Sequence, residues 1–445
     1  MPALPQSWIV AKHRELLPVD SLRARFTFGI AWSLAGAVAS RGFLLAASVV
    51  CARFLGKEGF GALGMIQSTA GMLGIFAGLG LGLTATKYVS EFHRQDPEKA
   101  GRILALSASA AFVFGCTITV LLILLAPVLS KTVLATPQLA TPLAIGAGLV
   151  FFGAINGAQT GALAGFEAFK TIARVNILSG LASFPLIVLG VWRGGLNGAV
   201  WGSVAALAIN WAFNNRALRR ECSNANISYE FASCHRELGV LHRFSIPAFL
   251  ASVMVGPAVW ACNALLVHRP QGYAELGIYT AADKWRLLIL FVPTSVFAMV
   301  LPVLSNLYGE GDSAGFQRVF RVNLRLNASL ALVASLLIAA FAAPIMAIYG
   351  NSFRGGRLVL IVLAFSALPE ALNAILGQPL IAAHLMWCRF AFDALLVTAL
   401  LGLAWVLIPK WGALGLAVSY GLAYAVTSLG LFLFLRDGSR VSVCL

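Results

Sequence analysis

Five ionisable side chains stand inside stretches of this sequence that are otherwise apolar: Arg41, Lys284, Arg286, Glu370 and Asp393. A charge at the centre of a bilayer costs about 2.5–3.5 kcal/mol on insertion scales, so such a residue marks a substrate path, an ion path or a buried pair. Arg41 falls in the middle of a predicted first span, too deep to snorkel to the interface. Lys284 and Arg286 lie about three turns into a predicted eighth span and, two residues apart, point to different faces of the helix. Asp283 is beside them. One of these two cations is expected to pair with an acid on another helix while the other faces a cavity; a structural ion pair is the alternative for each of the three. Glu370 follows Pro369, which frees a backbone carbonyl in the tenth span. A buried carboxyl there could carry a proton or help bind Na⁺, or could partner a buried arginine. Asp393 has the same two readings, ion coupling or an i,i+4 pair with Arg389. Asn156 and Asn373 occupy corresponding places in the fourth and tenth spans and read as interhelical hydrogen-bonding residues.

The signs of these charges discriminate between cargoes. The cores of the first six spans hold an arginine and no acid. A cavity of that sign favours anionic cargo such as phosphate or pyrophosphate head groups, which suit the guanidinium fork, with Arg41, Lys284 and Arg286 as substrate-binding candidates. An exporter of lipophilic cations would want the reverse.

The elements that position these residues follow from composition. Of 445 residues, 59% are hydrophobic and 11% charged, against about 25% charged in soluble domains. Lipid must therefore be the solvent for much of the surface. Apolar blocks long enough to cross a bilayer predict an all-α polytopic membrane protein of twelve helices. They fall at 26–52, 59–85, 103–127, 140–164, 172–192, 195–215, 245–267, 275–304, 325–349, 357–383, 389–408 and 411–435. This divides the chain into an N-terminal arm (1–25), an N-lobe (26–215), an inter-lobe linker (216–244), a C-lobe (245–435) and a tail (436–445). The linker is too short to fold as a domain, which excludes an appended ATPase or glycosyltransferase.

Twelve spans put both termini on one side. With that side cytoplasmic, twenty-one basic residues lie inside and eight outside, so the positive-inside bias predicts N-in and C-in. The first span reads as retained rather than as a cleavable signal peptide, because it is too long for a signal core. The net charge of +15 is then a topology signal with an attraction to anionic membrane lipids, not a nucleic-acid surface. Seven scattered cysteines form no CxxC pair and no cluster with histidine, so no metal site and no cofactor is expected.

The two halves resemble each other. Gly61 and Gly277, Asp96 and Asp312, and Arg102 and Arg318 are each 216 residues apart. Six spans per repeat insert the same way up, the parallel type of transporter repeat with a pseudo-two-fold axis along the membrane normal. Gly74, Gly78 and Gly82 in the second span, and Gly153, Gly157, Gly161 and Gly165 in the fourth, recur every four residues and are expected to let helices approach closely. Gly78-Leu79-Gly80-Leu81-Gly82 lacks the strand–turn–helix setting of a nucleotide loop.

The run Ala52-Arg53-Phe54-Leu55-Gly56-Lys57-Glu58-Gly59-Phe60-Gly61, after a first span containing Arg41, resembles a hallmark of the polysaccharide biosynthesis or export proteins. Gly78-Leu79-Gly80-Leu81 with Tyr88-Val89-Ser90-Glu91 fits the same pattern, as does Leu276-Gly277-Ile278-Tyr279-Thr280-Ala281-Ala282 followed by Leu301-Pro302-Val303-Leu304-Ser305. These are lipid-linked oligosaccharide flippases of the multidrug/oligosaccharidyl-lipid/polysaccharide exporter superfamily. The resemblance implies two six-helix lobes in a V that open alternately to the two sides of the bacterial inner membrane. It implies an undecaprenyl-pyrophosphate-linked glycan as cargo, for O-antigen, capsule or exopolysaccharide synthesis. In related flippases cations of the first cavity helix handle the pyrophosphate. Arg41 matches that placement, and Arg286 more loosely. Coupling to H⁺ or Na⁺ fits the family, with Glu370 as the candidate.

Two other functions compete. A drug or organic-cation antiporter of the same superfamily would be expected to carry a buried acid in the N-lobe, where this chain has Arg41. A membrane glycan polymerase or ligase needs a large outer loop, and none here is long. The chain is therefore expected to be a transporter and not an enzyme.

Overall fold

The computed structural model describes residues 19–240, 245, 249, 253–383 and 385–437, with the backbone alone at 19–39, 292, 295–299, 301–302 and 437. Lys12 and Arg14 of the arm, Arg243, the start of the seventh span and the tail with Arg440 lie outside the described residues. All regular structure among the described residues is helical.

The helix Val19–Gly78 is broken at Gly56, whose φ of 66° favours glycine, and yields α1 (19–55) and α2 (57–78). There follow α3 (Leu81–Phe92), α4 (Pro97–Thr132) and α5 (Ala140–Gly165). The helix Phe169–Asn224 is broken at Gly194 and Gly195 into α6 (169–193) and α7 (196–224). The second half has α8 (Val255–Val267), α9 (Gly272–Gly309), α10 (Ser313–Ala340), α11 (Ala342–Tyr349), α12 (Arg357–Leu376), α13 (Gln378–Ala382), α14 (Met386–Trp411) and α15 (Ala413–Asp437). Among the described residues eight helices are long and apolar enough to cross a membrane, two of them being the pairs joined across the glycine breaks. Each of the twelve sequence spans has a helix at its place. The lipid-facing character is plain on α4, where Ile123, Leu124 and Leu125 are exposed. Water would penalise that surface and hydrocarbon does not.

Several boundaries differ from the hydropathy reading, for local reasons. The second span is not continuous. Leu79 and Gly80, with φ of 41° and 67°, separate α2 from α3, so the glycine-rich run is a turn within the span. The third and ninth spans begin earlier than the apolar pattern does, because Asp96 and Asp312 cap them. The Asp96 carboxylate accepts from the Lys99 amide at 2.9 Å, and that of Asp312 from the Gly315 amide at 2.9 Å. Two residues 216 apart thus cap corresponding helices, the role that short acceptors play at helix N-termini.

The first-half helices pack on one another, as do those of the second half, and α1, α2, α8 and α9 carry most of the contact between the halves. There the repeat closes on itself. A Cβ on Gly61 would strike the Tyr273 carbonyl, and one on Gly277 would strike the Lys57 carbonyl. The two equivalent glycines face each other where α2 crosses α9. The other glycine ladders are only partly packing devices. Gly82 lies against the Gly157 carbonyl, Gly161 against Gly82 and Gly165 against Val89, whereas Gly74, Gly78 and Gly153 have open space where a side chain would be. Gly61→Ala is expected to destabilise the protein by about 1–3 kcal/mol through overpacking, while Gly402→Ala, inside α14 with open space around it, costs nothing and gains up to about 1 kcal/mol. Thermal denaturation in detergent checks this; equal melting temperatures for the two variants would contradict the close crossing.

Candidate functional site: a cationic cavity between the two halves

The helical spacing of 283, 284 and 286 divides α9 into two chemistries. Asp283 and Arg286 are one turn apart on one face, and Lys284 points away from them. Arg286 is buried, 5% exposed. Its Nη2 pairs with Asp283 Oδ1 at 2.7 Å, and its Nη1 pairs with Glu370 on α12. Nη1 also donates to Tyr420 Oη on α15 at 3.2 Å, and that hydroxyl donates to Glu370 Oε1 at 3.3 Å. The guanidinium carbon lies 4.4 Å from the centre of the Tyr420 ring. This is a closed network: one cation, two carboxylates and a phenol tie α9, α12 and α15 together. Burial of a charge demands such partners. Pro369, beside Glu370, has its carbonyl taken by Ser428 Oγ at 2.8 Å.

Lys284 lies on the other side of α9. Its Nζ donates to Gln67 Oε1 on α2 at 3.4 Å. It lines a cavity of about 580 Å³ that Arg41 of α1 also lines, together with Gln67, Asn176 and Ser203. Arg41 donates to the Leu287 carbonyl at 3.3 Å and stacks 4.4 Å from the Phe291 ring centre, a cation–π contact that holds the guanidinium without neutralising it. Among the described residues no carboxylate lies within ion-pair distance of Arg41 or Lys284. Asp283, the nearest in sequence, is engaged by Arg286. The cavity wall thus carries two cations, one from each half of the chain.

A second hollow of about 710 Å³ adjoins it within the first half, sharing Ser40, Leu44, Gln67, Asn176, Ile187 and Ser203. Its further polar lining is neutral and includes Ser179, Ser183 and Asn210. Asn210 Nδ2 donates to Ser179 Oγ at 2.9 Å, and Asn214 Nδ2 donates to Asn210 Oδ1 at 2.8 Å. The open space beside Gly74 and Gly153 belongs to this hollow.

The remaining candidates lie elsewhere. Asn156 donates to the Leu207 carbonyl at 3.0 Å and bridges α5 to α7. Asp393 accepts from Arg389 Nη2 at 2.7 Å, and Arg389 reaches Asn373 Oδ1 at 3.3 Å, which joins α14 to α12. Neither group touches the cationic cavity. Sequence reading missed Gln67, Asn176 and Ser203 on the wall, since single amides and hydroxyls in apolar spans carry no distinguishing pattern. Tyr420 and Tyr424, one turn apart in an apolar span, were a readable sign of a polar face on α15.

The fold is similar to that of solved MOP-superfamily transporters. A multidrug resistance MATE family transporter of that superfamily, in its inward-facing conformation, superposes with a TM-score of 0.74 at 16% identity, over 93% of this chain and 98% of the other. A MOP superfamily transporter from Pyrococcus furiosus, described by the reverse polarity of its binding pocket, superposes with a TM-score of 0.71 at 16% identity, over 94% and 96%. Residues 26–308 match the polysaccharide biosynthesis protein family, and the chain belongs to that family. It is 24% identical over 430 residues to the EPS I polysaccharide export inner membrane protein EpsE of Ralstonia nicotianae, spanning 95% of this chain and 96% of that one. It is also 24% identical over 419 residues to a Shigella flexneri protein provisionally named an O-antigen transporter, spanning 90% and 94%.

Proposed function

We propose that this chain is a polysaccharide-export transporter of the bacterial inner membrane that flips an undecaprenyl-pyrophosphate-linked oligosaccharide by alternating access. The observation that carries the reading is the pair of cations, Arg41 and Lys284, on one cavity wall with no carboxylate within ion-pair distance among the described residues. Two positive charges in a partly dehydrated hollow suit a diphosphate, because charge-assisted hydrogen bonds are about twice as strong as neutral ones. Antiport of organic cations would need the opposite sign at this wall. The neutral amides and hydroxyls of the adjoining hollow suit sugar hydroxyls, which both donate and accept. Family membership and the names of the export relatives support the same cargo class.

In this reading the N-lobe (26–215) and C-lobe (245–435) rock about the α2–α9 crossing, with both termini cytoplasmic. Arg41 and Lys284 contact the pyrophosphate. Arg286 serves the cavity indirectly, by fixing α9 against α12 and α15. Glu370 and Asp393 are each held by an arginine, so coupling to H⁺ or Na⁺ through Glu370 requires Arg286 to release it.

Deleting the gene is expected to strand the lipid-linked intermediate on the cytoplasmic leaflet and to abolish surface glycan. Normal surface glycan in a strain without a redundant paralogue would overturn the assignment. Lys284→Gln is expected to weaken binding of the pyrophosphate lipid about ten- to a hundredfold, the loss of one hydrogen bond to a charged group worth about 1.5–3 kcal/mol, and Lys284→Arg to retain most of it. A binding titration that finds Lys284→Gln unchanged removes Lys284 from the site.

A further inference from the structure

A groove on the flank of the first half shares no lining residue with the cationic cavity. It runs between α4, α5 and α7 below the segment 225–231, encloses about 650 Å³, and is floored by aromatic rings. Phe112, Phe151, Phe152, Trp211, Tyr229 and Phe231 line it, and Phe151 meets Phe112 and Phe152 edge-on with centroids 5.7 and 5.2 Å apart. Arg219 stands at its rim. A second hollow shares Trp211, Asn215 and Arg219 with it and adds Arg216 and Arg220. The three arginines, at i, i+3 and i+4 of α7, lie on one exposed face.

Two observations point to an occupant. Ser107 and Gln159, 1% and 9% exposed, line the groove, and among the described residues the buried Ser107 Oγ and Gln159 Oε1 have no hydrogen-bond partner. Such atoms are rarely left bare. In addition, no ion pair holds Arg216, Arg219 or Arg220 among the described residues. The nearby acids are engaged elsewhere: Glu221 accepts from Thr171 at 2.9 Å, and Glu230 and Glu237 lie 3.9 and 3.1 Å from Arg102.

We infer that this groove is a binding site for an anionic glycerophospholipid, its phosphate on Arg216, Arg219 and Arg220 and its acyl chains on the aromatic floor. Ser107 and Gln159 line the same groove as Arg219, so a hydroxyl and an amide are placed to meet the linkage between a phosphate on the arginines and chains on the aromatic floor. Burial raises the Tyr229 phenol above its ordinary value, so it stays neutral beside the phosphate. The aromatic floor binds the chains through area and shape alone, and the arginines select the charge.

Native mass spectrometry of the full-length protein, equilibrated with equal amounts of dioleoylphosphatidylglycerol and dioleoylphosphatidylcholine, tests the site. The wild type is expected to retain phosphatidylglycerol at least fivefold over phosphatidylcholine. Replacing Arg216, Arg219 and Arg220 together by glutamine is expected to abolish that preference, and Ala108→Phe, which fills the groove, to abolish retention of both lipids. Gln159→Leu is expected to remove most of the rise in melting temperature that phosphatidylglycerol produces. Equal retention of the two lipids by the wild type, or an unchanged preference in the arginine variant, overturns the inference. So does lipid retention in Ala108→Phe matching the wild type.

Discussion

Arg286→Ala is expected to cost about 3–5 kcal/mol, the consequence of stranding buried carboxylates once their shared cation is gone. Glu370 and Asp283 would face each other across the vacated site with only Tyr420 to hydrogen-bond. A loss of that size is a large fraction of the roughly 5–15 kcal/mol that holds proteins folded, so poor yield and a strongly lowered melting temperature in detergent are the expected results. Removing all the charges at once should be far milder, because well-packed apolar side chains can replace a buried ionic cluster. The triple variant Arg286→Met, Glu370→Leu, Asp283→Asn is accordingly expected to recover most of the lost stability. If Arg286→Ala melts with the wild type, Arg286 is no structural tie and its role must be sought at the cavity. If the triple variant is no better than the single one, the cluster contributes packing that charge alone does not explain.

The second large effect concerns Arg41. It donates to a backbone carbonyl and rests on an aromatic ring, contacts that leave its charge available. A phosphate group would take two parallel donors from the guanidinium. Arg41→Ala removes them and is expected to lower transport of a pyrophosphate-linked glycan about ten- to a hundredfold, for contacts worth about 1.5–3 kcal/mol. Arg41→Lys keeps a point charge without the fork and is expected to retain a measurable part. Stability should change little in either variant, which separates this prediction from that for Arg286. Full transport by Arg41→Ala in vesicles of matched protein content would reduce Arg41 to packing.

Much of the architecture was legible because the bilayer imposes a coarse rule: a span must be long and apolar. That rule put a helix at each of the twelve predicted spans, as far as the described residues reach, and isolated the misplaced charges. Asp96 and Asp312 were visible as repeat partners, yet their capping role needed backbone geometry. Hydropathy says whether a residue enters the membrane but not how its helix is rotated. Lys284 and Arg286 illustrate this. Their spacing required them to diverge, but only the packing of α12 and α15 against α9 shows that Arg286 meets Glu370, 84 residues away. The glycine ladders taught the same lesson in reverse. Gly82 and Gly161 pack as their spacing suggests, while Gly74 and Gly153 border a hollow, because a missing side chain serves close approach and open volume equally well. The cavity wall was hard to foresee, since Gln67, Asn176 and Ser203 become a surface only when five helices bring them together.

A cavity whose positive charge selects a diphosphate is best tested by comparing ligands that differ in charge alone. Purified protein should be titrated with a polyprenyl pyrophosphate, with the matching neutral polyprenol and with a lipophilic organic cation, each in the same detergent. The expected result is at least tenfold tighter binding of the pyrophosphate than of the polyprenol, an advantage that disappears when Arg41 and Lys284 are both replaced by alanine. Equal affinity for the neutral lipid, or tighter binding of the cation, would contradict it.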